Sequence, residues 1–271
     1  MELAEAGYLK QREALAAHER MMKALAAQEY LRERFEPRPG DPGYLCLSDL
    51  LMAIKGLVPS NAKRVLDYGC GGSPYRPLFG ECTYHRADFV GGSNLDFEYA
   101  ADSRLPPEAS DYDCILSTQV LEHVEDPIVY LQECYRVLRP GGHLLLTTHG
   151  IFEDHAAPHD YWRWTAVGLQ RMIEGAAGLK VKTVKKLTTG PRGVLFLSER
   201  EFYRLRFESA GAYGTLLSLG IRAVQRLGAR RLHEASDRSF PQHRVVDASQ
   251  SGRDMYIGIA VLAVREDKRR G

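Results

Sequence analysis

A chain of 271 residues with 44% apolar content is long enough for one large domain, or one domain with additions, and a net charge of +1 gives no ground for expecting a nucleic-acid partner. The five cysteines (Cys46, Cys70, Cys82, Cys114 and Cys134) form no C-x-x-C pair and no even framework, which argues against a disulfide scaffold and for reduced thiols. There is no basic-then-apolar leader and no apolar run near the roughly 18 residues of a transmembrane helix, so a cytoplasmic protein is expected.

Residues 1–35 are rich in Ala, Glu, Leu, Arg and Lys, with apolar positions recurring at Leu3, Tyr8, Leu15, Met22 and Leu25/Ala26. This is the stripe of an amphipathic helix. It stops at the breaker cluster Pro37-Arg38-Pro39-Gly40-Asp41-Pro42-Gly43. Such a helix packs on its own domain or on a second copy in a homodimer; the alternative is a lid over a ligand. Leu47 to Leu57 reads as a further helix.

Arg64 to Ser73 (RVLDYGCGGS) then reads as a short apolar strand that ends in an acidic residue and breaks into glycines. At the carboxyl edge of an open α/β sheet, such a turn exposes backbone N–H groups to a nucleotide-like ligand. Asp88 follows 21 residues after Asp67, behind another short strand, a spacing at which a carboxylate can accept from both hydroxyls of a ribose. The dinucleotide pattern G-x-G-x-x-G is not met, because Pro74 stands where its last glycine would be. No Gly-Lys-Ser/Thr phosphate loop follows either. Pro74 also removes an N–H that a pyrophosphate would use, so the turn suits a nucleoside without phosphates.

Farther on, Asp126 can cap a helix with Pro127 at its first position, Ile128, Leu131, Tyr135 and Leu138 facing inward and Pro140-Gly141-Gly142 at its end. Leu144 to Thr148 is a buried type of strand. Thr165 starts a helix that ends between Gly175 and Gly178, and Leu179 to Leu187 is a strand. Ser198 to Leu232 reads as one or two helices carrying seven arginines and an apolar side. That segment is expected to cap an acceptor pocket; the alternative is peripheral contact with an anionic membrane. Residues 233–253 read as loop, and Met255 to Val264 as a buried closing strand. Alternating helices and strands imply a mostly parallel sheet covered on both faces.

Six segments, in order, resemble the motifs of class I S-adenosylmethionine (SAM)-dependent methyltransferases, in particular a bacterial subgroup acting on small molecules and polysaccharides. They are Asp67-x-Gly69-x-Gly71, Asp88, Ala101 to Pro106 (ADSRLP), Tyr112 to Val124 (YDCILSTQVLEHV), Glu133 to Leu146 (ECYRVLRPGGHLLL) and His159 to Thr165 (HDYWRWT). The resemblance covers roughly residues 40–190 and the last strand. Ser73 departs from it, standing where many members carry a third glycine.

The resemblance implies a Rossmann-like α/β sheet of seven strands with helices on both faces, an N-terminal helical extension (1–40), a cofactor-binding core (41–190), a helical insertion (191–250) and a closing strand and tail (251–271). It implies SAM as cofactor, with S-adenosyl-L-homocysteine (SAH) as product. Asp67 and the backbone of Gly69, Cys70 and Gly71 would face its methionine end, and Asp88 its ribose. Phe89 would stack on adenine, Asp102 and the Ser103 backbone would meet the adenine edge, and Ser117, Thr118 and Gln119 would lie under the sulfur. The acceptor is expected to be a small molecule or glycan precursor methylated at oxygen.

A hydroxyl acceptor must lose a proton, and histidine is the usual base near neutral pH. His123 and His159 are the candidates; the bland role for each is to anchor a helix or loop. Tyr161, Trp162 and Trp164 either line the acceptor pocket or pack their loop. His149, Asp154, His155 and His159 match no strict ligand spacing, so no metal is expected. Two rival functions are a SAM-fold binding or scaffold protein without turnover, and a nicotinamide-dependent oxidoreductase.

Overall fold

The computed structural model describes residues 21–22, 24–89, 94–155, 159–204, 211–252 and 254–267. Its helices are α1 (24–35), α2 (Tyr44–Leu57), α3 (Pro127–Val137), α4 (Ala166–Ala177), α5 (Gly190–Arg204) and α6 (Gly211–Ser239). Its strands are β1 (Arg64–Tyr68), β2 (Thr83–Phe89), β3 (Phe97–Tyr99), β4 (Tyr112–Thr118), β5 (Leu138–His149), β6 (Lys180–Thr189), β7 (Val245–Asp247) and β8 (Tyr256–Val264). They form one sheet in the order β3-β2-β1-β4-β5-β8-β6-β7. β3, β2, β1, β4 and β5 pair in parallel, while β8 runs antiparallel between β5 and β6, and β7 antiparallel to β6.

The α/β class matches the expectation, but the sheet has eight strands rather than seven. The extra one, β7, is a three-residue edge strand in a stretch read as loop. Its Val-Val-Asp is too short to show period-two patterning.

Side-chain alternation along the strands explains the two covered faces. On one face Val65, Cys114, Leu116, Leu145 and Ala260 meet Leu50 and Ile54 of α2. On the other, Leu66, Tyr68, Ile115, Leu144, Leu146, Ile259 and Val261 meet Leu131 of α3 and Leu169 and Ile173 of α4. Burying each such aliphatic side chain contributes roughly 1.5–3 kcal/mol, which is why these strands read as continuous apolar runs.

The caps fall where residue type placed them. Asp126 accepts from the N–H groups of Ile128 (2.9 Å) and Val129 (3.1 Å), with Pro127 at the first helical position. Thr165 accepts from Gly168 N–H at 3.1 Å. β5 begins earlier than expected, because the bend at Pro140–Gly142 pairs with the end of β8: Gly141 N–H donates to Arg265 O (2.7 Å), and Arg265 N–H to Gly142 O (2.9 Å).

α6 departs most from its reading. It continues to Ser239, and polar contacts tie one side of its C-terminal end to the core, where His233 and Ser236 are buried. His233 Nδ1 accepts from Gly40 N–H (2.9 Å), and Tyr44 OH donates to Asp237 (2.5 Å). Four of the apolar residues on it, Leu216, Leu219, Val224 and Leu227, are exposed. Met22, before α1, and Leu25, in it, are exposed too, so the expected stripe is not a buried face there; Leu3, Tyr8 and Leu15 lie outside the described residues.

One buried ion cluster ties the segment after β6 to the core. Arg192 and Asp49 are fully buried and paired at 2.7 Å, Arg244 reaches Asp49 at 2.7 Å, and Asp237 takes a second nitrogen of Arg192 at 2.8 Å.

Candidate active site

The strand order reverses between β1 and β4, and at that switch point an open sheet leaves a crevice beyond its carboxyl ends. A cavity of about 990 Å³ occupies it. Its floor is made by the ends of five strands: Gly69, Cys70 and Gly71 after β1, Asp88 and Phe89 on β2, Tyr99 on β3, Thr118 and Gln119 after β4, and His149 on β5. Small-molecule sites run to roughly 1,000 Å³, so a nucleoside-sized ligand and an acceptor fit together.

The glycine turn is folded onto β2. Gly69 and Cys70 N–H both donate to Ala87 O, at 2.9 and 3.1 Å. Gly71 N–H donates to the Asp88 carboxylate at 2.6 Å. Gly69 takes φ +78°, and a Cβ there would lie 2.4 Å from Val120 Cγ2, so only glycine lets the turn pass under the β4 loop. Gln119 (φ 56°) and Ser103 (φ 56°) line the same cavity in left-handed conformations that side chains disfavour. Backbone strain of this kind collects at ligand sites. Burial pushes the Cys70 thiol up to about 12, so it stays protonated beside Asp88.

Of the residues expected to hold the cofactor, Gly69, Cys70, Gly71, Asp88, Phe89, Ser103, Thr118 and Gln119 line the cavity. Asp67, Asp102 and Ser117 do not. Asp67 is buried on the α2 side of β1 and accepts from Tyr84 OH at 2.7 Å; burial pushes its carboxyl up to about 7. Asp102 is exposed and accepts from Arg104 N–H at 3.2 Å. Ser117 lies beneath the floor, where its hydroxyl meets Tyr130 OH at 2.8 Å.

The opposite wall holds the histidines. His123 closes the short turn Leu121–His123 after β4, and its Nδ1 lies 2.6 Å from the backbone oxygen of His159. The His159 ring is exposed, so its carbonyl rather than its imidazole meets His123. The His155 ring stands at a centroid distance of 4.8 Å from His123 and 5.0 Å from His149. Glu122 is fully buried: one carboxylate oxygen accepts from Thr148 Oγ1 at 2.8 Å, and the other lies 3.2 Å from His149 Nε2. Burial pushes Glu122 up to about 7 and His149 down to about 3; it also lowers His123 and His155, which favours neutral imidazoles.

Of the loose set His149, Asp154, His155 and His159, only His149 and His155 come together. Asp154 points into solvent near Arg163. Glu122, His123 and His155 are the residues the fold brings to one point instead. Trp164 is core, and Trp162 stacks on it and donates to Val124 O at 2.8 Å; only Tyr161 of the three aromatics reaches the cavity.

The remaining walls come from segments expected only in outline: the N-terminal helix, whose alternative role was a lid, and the helical insertion, expected to cap the acceptor pocket. Tyr30, Glu33 and Arg34 come from α1, and Phe196 and Arg200 from α5. Leu31 lies over Gly72, where a Cβ would meet its Cδ2 at 2.7 Å. No spacing rule links these segments to the glycine turn. The closest signal was the breaker cluster at 37–43, which turns α1 back over the sheet edge.

A family model described as a methyltransferase domain matches residues 18–174, more than half of the chain. Among curated proteins, the ubiquinone biosynthesis O-methyltransferase of Dinoroseobacter shibae is 29% identical over 110 residues, 35% of this chain and 44% of that protein. The protein of the same name from Parvibaculum lavamentivorans is 25% identical over 195 residues, 60% of this chain and 72% of that one. The chain thus spans less than half the length of the first of these relatives. Among solved structures, a chain from the Haloferax volcanii complex between the Trm112 methyltransferase activator and a methyltransferase superposes with a TM-score of 0.51 at 16% identity. That superposition covers 92% of this chain and 97% of the other, and it shows a shared fold. With the motifs, the sheet order and the family match in agreement, the chain belongs to the methyltransferase-domain family, the class I SAM-dependent enzymes that its sequence resembles.

Proposed function

We propose that this protein transfers a methyl group from SAM to a hydroxyl oxygen of a small-molecule acceptor. The observation that carries the reading is the Asp88–Gly71 hydrogen bond, which fixes a carboxylate and a glycine turn at the floor of a cavity whose far wall is a histidine cluster. The cofactor suits the residues present. Gly71 and Cys70 leave the floor bare, Asp88 keeps lone pairs for ribose hydroxyls, and Phe89 offers a half-exposed ring braced edge-on by Tyr99 at 6.2 Å.

When bound, SAM supplies a methyl group on a sulfonium that is already a strong electrophile. The protein's part is placement, dryness and removal of the acceptor's proton. α1 and α5 close the cavity from above through Tyr30, Arg34, Phe196 and Arg200. His123, with Nδ1 held by the His159 carbonyl, presents Nε2 as the basic atom. His159 acts through its backbone, as a positioning residue. The names of the curated relatives support oxygen as the acceptor atom.

The test is SAH release from SAM in the presence of a panel of phenols, polyols and sugars. Turnover with at least one hydroxyl acceptor, reduced at least tenfold in His123→Ala, is expected. Cofactor binding with no turnover across the panel would favour a binding protein.

A further inference from the structure

Glu122, His123 and His155 each offer one ligand atom, and these atoms lie within 4.8 Å of one another. The three come from the β4–α3 connection and from the loop after β5, so the fold, not local sequence, assembles them. Each histidine has its Nδ1 engaged elsewhere. His123 Nδ1 is on the His159 carbonyl at 2.6 Å. His155 Nδ1 lies 3.3 Å from Asp160, whose carboxylate is itself gripped by two nitrogens of Arg163 at 2.6 Å. An Nδ1–H held by a carbonyl or an anchored carboxylate fixes the tautomer, leaves the Nε2 lone pair outward and is the usual second shell of a metal-binding imidazole.

A second, independent observation points to a ligand. The free oxygen of Glu122, Oε1, is buried and makes no hydrogen bond among the described residues, although His149 Nε2 lies 3.2 Å away. The Nδ1 of buried His149 also has no partner among them. A buried carboxylate oxygen left unmatched is costly unless something completes it. Among the described residues, no Lys or Arg pairs with Glu122.

We propose that Glu122, His123 and His155 bind a divalent first-row transition cation on the acceptor side of the cavity. Two imidazoles and one carboxylate suit Zn²⁺, Mn²⁺, Fe²⁺ or Co²⁺ and leave coordination positions open. Ligands at about 2.1 Å from one ion span at most about 4.2 Å, so the trio closes by roughly half an ångström. The open positions face the space where the acceptor sits. A hydroxyl coordinated there ionises nearer neutral pH, its proton leaving to water. Its oxygen is then ready for methylation, and with the cation bound His123 Nε2 acts through the ion instead of taking the proton itself. This extension rests on the methyltransferase reading, and the acceptor class it selects is one that offers a hydroxyl to a metal.

The test is calorimetric titration of chelator-stripped full-length protein with Zn²⁺ alone, with SAH titrated into a parallel sample. One equivalent of Zn²⁺ is expected, weakened about 100-fold or more in His155→Gln and in Glu122→Gln. His155 is partly exposed, so its variant is expected to keep the wild-type melting temperature even if Glu122→Gln does not. Co²⁺ should give weak visible bands without thiolate absorption, which separates this site from the cysteines. Absence of stoichiometric binding, or binding unchanged in His155→Gln, would overturn the proposal. SAH binding without Zn²⁺ binding would remove the metal site and leave the cofactor reading standing; Zn²⁺ without SAH would do the reverse.

Discussion

The Asp88 carboxylate and the backbone N–H of Gly71 meet at 2.6 Å, which joins the end of β2 to the turn after β1. The two residues are 17 positions apart, and the parallel pairing of β1 with β2 brings them side by side. A single carboxylate thereby shapes the glycine turn and faces the cavity.

Gly69→Ala tests how tightly that turn is built. A side chain at φ +78° costs about 1–2 kcal/mol, and the overlap with stiff, β-branched Val120 adds roughly 1–3. Urea unfolding should show a loss of roughly 2–5 kcal/mol, and SAH affinity should fall as well. Unchanged stability would mean the turn relaxes freely.

Arg192 and Asp49 form a pair from which water is excluded. Removing Arg192 leaves buried Asp49 with Arg244 as its remaining partner and takes the closest cation from Asp237, so Arg192→Ala should destabilise by about 1–3 kcal/mol in the same measurement. A double variant, Arg192→Met with Asp49→Leu, should recover part of the loss. If the single and double variants were equally unstable, packing rather than charge would be the cause.

Asp67 gives a pH dependence with a definite sign. Burial raises its folded-state pKa to about 7, against roughly 3.9 unfolded, so the folded form favours the proton. Its stabilising contribution is complete below about pH 4 and is lost as pH rises through about 7. Asp67→Asn removes this loss, so the variant's melting temperature should gain on wild type between pH 4 and pH 8. Parallel curves across that range would contradict the assignment.

Much of the sheet was legible because its strands bury both faces and so read as short apolar runs. The caps at Asp126 and Thr165 were legible because a side-chain oxygen at a helix start has one main use. The floor was legible too, since Gly69, Gly71 and Asp88 stand at the ends of two consecutive parallel strands. What was not legible is tertiary. Asp67 belongs to the motif, yet its side chain points into the core, and alternation along a five-residue strand decides that only once the neighbouring helices are placed. β7 and the far half of α6 form through contacts with Lys185 to Leu187, Gly40 and Tyr44, all remote in sequence. The meeting of Glu122 with His155 depends on a loop path that no spacing rule encodes.

The central claim is that this cavity binds SAM, and calorimetric titration with SAH measures it directly. Wild type should bind one equivalent with micromolar affinity. Asp88→Ala should weaken binding by roughly 10- to 100-fold, from the loss of charge-assisted hydrogen bonds of about 1.5–3 kcal/mol, while circular dichroism shows the fold retained. An absence of heat and of thermal shift with both SAH and SAM, or equal binding by wild type and Asp88→Ala, would contradict it.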